Sequence, residues 1–77
     1  MGFWIFRSKG ERELERLYAE MKINLENNYK DSAHKARMLL GSRARELYEA
    51  GAIGEKCRDK YLRIYEEYTE KLKNYRH

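Results

Sequence analysis

Apolar and small residues recur along this chain at steps of three and four. Tyr29, Ala33, Ala36, Leu40, Ala44 and Leu47 form one series, and Cys57, Tyr61, Ile64, Tyr68, Leu72 and Tyr75 form another. That spacing marks one face of an α-helix. The segment Ala50-Gly51-Ala52-Ile53-Gly54 separates them. Gly51 suits the left-handed residue that ends a helix, Ile53 can fold back onto the apolar seam, and Gly54 can cap the next helix. Folding the chain at residue 52 sets Leu47 against Cys57, Ala44 against Tyr61 and Leu40 against Ile64. It also sets Ala36 against Tyr68, Ala33 against Leu72 and Tyr29 against Tyr75. Small residues then face rings, which lets two helices approach and interdigitate. The pattern predicts an antiparallel helical hairpin.

Upstream, Ser8-Lys9-Gly10-Glu11 has the spacing of a capping box, so a helix starts there. Leu14, Leu17, Tyr18, Met21 and Leu25 continue an apolar stripe that passes into Tyr29, Ala33 and Ala36 without a slip. No Gly or Pro interrupts it. The first expectation is therefore one all-α domain over 1–77. It has an apolar arm at 1–7, a long first helix over residues 9–50, a turn at 51–54 and a second helix over 55–75. Asn27-Asn28 is weak helix sequence, and Asp31 or Ser32 can start a new helix. The alternative is a three-helix bundle with a break near 27–32. Leu39, Leu62 and Tyr65 flank the hairpin seam as a second row, able to accept the first helix in a bundle or a partner in a dimer.

The long first helix has a functional consequence. A shorter second helix covers only its C-terminal half, leaving Leu14, Leu17, Tyr18, Met21 and Leu25 as an apolar stripe in need of a cover. With Phe3, Trp4, Ile5 and Phe6 of the arm, these are the expected partner-binding residues, for a second copy or a partner helix. The arm also has a membrane reading, with Phe3-Trp4-Ile5-Phe6 at a lipid surface and Arg7 and Lys9 at the headgroups. Phe6 occupies the position where a myristoylation signal wants Ser or Thr.

Composition narrows the class. The chain has 77 residues, no proline and 39% charged residues, which suits solvent-laced helices around one small core. The single cysteine, Cys57, cannot form an internal disulfide, and no apolar run approaches the ~20 residues of a membrane span. The expected location is cytoplasmic, membrane-peripheral if the arm engages lipid. The net charge of +4 is spread evenly, each half holding the same small excess of Lys and Arg. One basic row does stand out: Lys30, His34, Arg37 and Arg45, with Gly41 among them, align along one side of the first helix. Such a row is either an anion or nucleic-acid contact strip, with Gly41 allowing close approach, or solvated charge beside a glycine that accommodates a bulky neighbour.

No cluster has catalytic or metal-ligating spacing. His34 and His77 stand far apart, and Cys57 has no second cysteine and falls on the apolar seam. No enzyme activity, cofactor, metal or small-molecule substrate is expected. The sequence reads as a non-enzymatic module for helical protein–protein interaction or self-association. The alternative is a peripheral binder of an anionic surface, through the arm or the basic row. The segment Leu47-Tyr48-Glu49-Ala50-Gly51-Ala52-Ile53 resembles the turn of the short helical hairpins called SHOCT domains. The resemblance stays within that turn: Gly54 stands where Thr or Ser usually follows the Ile, and Arg58 where an aromatic is expected.

Overall fold

The structure, a computed structural model, describes residues 8–73. Its elements are three helices: α1 (Lys9–Glu26), α2 (Lys30–Glu49) and α3 (Glu55–Lys73). The described residues contain no strand. The capping box is present: the Glu11 amide donates to Ser8 Oγ at 3.1 Å and the Ser8 amide to Glu11 Oε1 at 3.3 Å.

The continuous helix over 9–50 is overturned, and the bundle with a break near 27–32 holds. The break is a capping motif. Asn28 adopts φ 65°, the left-handed conformation that asparagine tolerates better than most residues. Its amide donates to the Leu25 carbonyl at 3.0 Å, and the Tyr29 amide donates to the Asn24 carbonyl at 2.7 Å. These are the paired bonds of a Schellman ending, which satisfy carbonyls that the helix leaves open. The second turn repeats the device. Gly51 has φ 77°, its amide donates to the Tyr48 carbonyl, and the Ala52 amide donates to Leu47. Both reversals thus use one motif, once with Gly and once with Asn.

Reversal at Asn28 lays α1 back along α2, while the turn at Gly51 lays α3 along α2 on its other flank. α2 is the central helix, and its small residues allow this. Ala33, Ala36, Leu40, Gly41, Ala44 and Leu47 are all buried. Ala36, Leu40, Ala44 and Leu47 form one core with Leu14, Leu17 and Met21 of α1 and Tyr61 of α3, with Ile53 folded in from the turn. A methyl at Gly10 would lie 3.0 Å from Ile53 Cγ2, so the start of α1 is seated directly on that turn. Leu72 is buried as expected, and Cys57, Ile64 and Tyr68 pack at the core's edge.

One placement differs from the hairpin seam and one from the row that flanks it. Tyr29 is exposed at the start of α2 rather than paired within the seam, because the chain turns there. Tyr75 lies outside the described residues. Leu39 does not share a flank with Tyr65: Tyr65 sits over Gly41, two positions and about 200° further round the helix, and Leu39 stays half-exposed. No described helix is long and apolar enough to cross a membrane.

Candidate functional site

Three of the residues expected to bind a partner, Leu14, Leu17 and Met21, belong to the bundle's own core. Leu14 and Met21 are fully buried and Leu17 nearly so. With α1 folded back, these three side chains are covered within the chain and are not an open apolar stripe. Tyr18 is half-buried and joins α1 to α3, meeting Tyr61 and Tyr68 edge-on at 6.5 and 6.1 Å between centroids. Burial and the neighbouring Tyr18 push the Tyr68 phenol above its ordinary pKa. Leu25 is half-buried in a shallow rim with Lys22, Glu26, Tyr68 and Lys71. Phe3, Trp4, Ile5 and Phe6 lie outside the described residues.

The basic row falls on the edge where α2 meets α3. Gly41 is occupied: a methyl there would come within 2.8 Å of the Tyr65 ring. The glycine accommodates a tyrosine of α3 and does not open the helix to a ligand, which corrects the close-approach reading. The Tyr65 ring in turn carries two guanidiniums, Arg37 at 5.1 Å and Arg45 at 6.0 Å from its centroid. Such stacking favours a cation over the ring's electron-rich face. Arg37 is further fixed: Nη1 donates to Thr69 Oγ1 at 2.6 Å, and Nη2 stands 3.5 Å from His34 Nδ1. Thr69 Oγ1 donates to the Tyr65 carbonyl, completing the clamp. Arg37 Nε is buried and without a partner. Lys30 lies half-buried at the start of the same side of α2.

The electrostatics of this edge change along its length. At the turn end, Arg58 stacks on Tyr48 at 4.2 Å and is held by Asp59 and Glu55 at 2.9 and 3.6 Å. The hydrogen bond to Asp59 raises the Arg58 pKa further above its ordinary range. Toward the other end, among the described residues, neither Arg37 nor Arg45 has a carboxylate partner, and both are positioned on a ring. These are oriented positive charges with unused donors, the chemistry that accepts phosphate or carboxylate oxygens.

Tyr65 and Thr69 are site residues that the sequence reading did not assign. A signal for them existed. The residue numbers of Arg37 and Thr69, of Gly41 and Tyr65, and of Tyr48 and Arg58 share one total, close to that of the seam pairs. Extending the antiparallel register one position off the seam would have paired them.

Elsewhere, Cys57 is half-buried in a groove with Glu11, Glu15, Lys56, Lys60 and Tyr61. Burial, and next the charge of Glu11, push its thiol above the ordinary value. That is the opposite of what an activated nucleophile needs. Between α1 and α2, Arg43 donates Nε and Nη2 to the two carboxylate oxygens of Glu13 at 2.5 and 2.9 Å, and Nη1 to Glu46 at 2.7 Å. On the outer face of α2, Lys35, Met38, Leu39 and Ser42 line a shallow apolar surface. Compared with known protein families, with curated proteins and with solved structures, the chain matches none.

Proposed function

We propose that the protein is a non-enzymatic helical binding module whose α2–α3 edge takes the phosphodiester backbone of a nucleic acid. The observation that carries this reading is the pair Arg37 and Arg45. Both guanidiniums lie over Tyr65, and neither makes an ion pair with a carboxylate among the described residues, while Arg45 shares a groove with Glu49 and Asp59. Half-burying and orienting Arg37 without a counter-charge is unfavourable within the monomer and becomes favourable when an anion arrives, and exposed Arg45 adds a second cation beside it. The row is linear: Lys30, Arg37 and Arg45 stand roughly 10–12 Å apart along the helix, at ~1.5 Å per residue. A strand of phosphates can follow such a row. Tyr65 positions the arginines and does not stack on bases, because Gly41 and the guanidiniums already occupy it. The edge therefore reads backbone charge, not sequence.

The test is fluorescence anisotropy of a labelled single-stranded RNA at several salt concentrations, with the full chain and its Arg37→Gln/Arg45→Gln variant. Binding should be weak and salt-dependent. The variant should lose about 0.7 per arginine from the log–log salt slope for a single strand. An unchanged affinity and slope in a folded variant would overturn the reading. Anionic vesicles serve as a second probe. Binding there that disappears with residues 1–7, and not with the arginines, would assign the contact to the arm and a membrane instead.

A further inference from the structure

We infer that the outer face of α2 pairs antiparallel with α2 of a second copy, forming a weak two-fold dimer. Lys35, Met38, Leu39, Ser42 and Glu46 share this face by the helical step of about 100° per residue. It points away from the core and from the Arg37–Tyr65 edge. Met38 and Leu39 are 60% and 49% exposed side by side, with Ser42 one turn on as a small residue at the centre.

The charges along the face identify the occupant. Lys35 makes no ion pair among the described residues. At the other end, Arg43 is shared between Glu13 and Glu46, so that cluster of three side chains keeps one net negative charge. Glu13 stays ionised there, since hydrogen bonding from Arg43 holds its carboxyl below the ordinary value. Glu46 and Glu49 also close a helix with no basic residue in its last turn, where the helix dipole disfavours acids. A second α2 running the opposite way, with the axis between Leu40 and Gly41, resolves the mismatch. Leu39 then meets Ser42 of the partner copy, Met38 packs beside it, and Lys35 approaches the partner's Glu46. Symmetry makes each contact twice, as a self-complementary interface requires. Glu49 and Asp31 lie further out, where crossing helices have diverged. A single helix face is small against the ~1,200 Å² of a stable interface, so the dimer is weak, with a dissociation constant on the order of 100 μM.

Sedimentation equilibrium on the full chain across that range, at low salt, tests this. The wild type should show monomer and dimer. Lys35→Glu and Glu46→Lys should each weaken self-association about tenfold, because each sets like charges opposite one another twice. An equimolar mixture of those two variants should associate like the wild type, since every pair is then opposite in sign. Circular dichroism checks that each variant is folded, and Leu39→Asp should be monomeric throughout. A mixture that stays monomeric, single variants that dimerise like the wild type, or a wild type that is monomeric at 1 mM would each overturn the inference. So would loss of the dimer on removing residues 1–7 alone.

Discussion

Substituting Gly41 by alanine sets two known effects against each other. In a helix interior the change is worth about 1 kcal/mol in favour of alanine. Here a methyl at Gly41 would lie 2.8 Å from Cδ1, 2.9 Å from Cε1 and 3.1 Å from Cγ of Tyr65. The contact runs along the ring to its root and not to a flexible tip. The ring cannot swing away cheaply, because Arg37 and Arg45 stack on it and Arg37 is tied to Thr69. Overpacking of this kind costs about 1–3 kcal/mol, so Gly41→Ala should destabilise by about 1 kcal/mol net. For a domain of this size that lowers the melting temperature by about 4–8 °C. In a Tyr65→Ala background the ring is gone, and the same Gly41→Ala change should stabilise by about 1 kcal/mol. Urea denaturation followed by circular dichroism on the four proteins gives the coupling directly. If Gly41→Ala stabilises the wild type as much as it stabilises Tyr65→Ala, the ring does not fill the glycine. The α2–α3 edge built on it then falls.

Other substitutions probe the remaining parts of the account. Asn28→Gly should stabilise by a few tenths to about 1 kcal/mol and Asn28→Ala should destabilise, because φ is positive there; a continuous helix would give the reverse order in the same denaturation assay. Met21→Ala should cost about 2–5 kcal/mol in urea unfolding, since the side chain is fully buried, and should leave the oligomeric state alone. The Glu13–Arg43 pair predicts a pH effect of definite sign. Hydrogen bonding from Arg43 lowers the folded-state pKa of Glu13 below its ordinary 4.5. The pair's stabilisation is therefore complete above that value and is lost as pH falls through the lower folded-state pKa. The urea midpoints of wild type and Glu13→Gln should differ at pH 6 and converge toward pH 2.

The sequence carried the α2–α3 half of this fold well, because Gly51 is a conspicuous left-handed residue and Ala faces Tyr in register. It carried the α1–α2 half poorly for a physical reason. The apolar stripe keeps its phase through Asn27-Asn28, so periodicity alone reads as one helix, while Asn28 ends that helix through the motif that Gly51 uses. The consequence reaches function: Leu14, Leu17 and Met21 are exposed on a straight helix and buried on a folded one. The basic row was visible as residues on one side of α2. Its assembly on Tyr65 was not, because Gly41 can be read either as an opening or as a filled notch. Only the neighbour across the seam decides between them.

The fold-back of α1 onto α2 is the claim beneath all the others, and a spin-label distance tests it most directly. With Cys57 replaced by alanine, labels at exposed Arg12 and Glu49 are measured by double electron–electron resonance, diluted in unlabelled protein. Adjacent antiparallel helices 8–10 Å apart predict one population below about 30 Å. A population near 55 Å, the length of the intervening chain as a single helix at ~1.5 Å per residue, would contradict it.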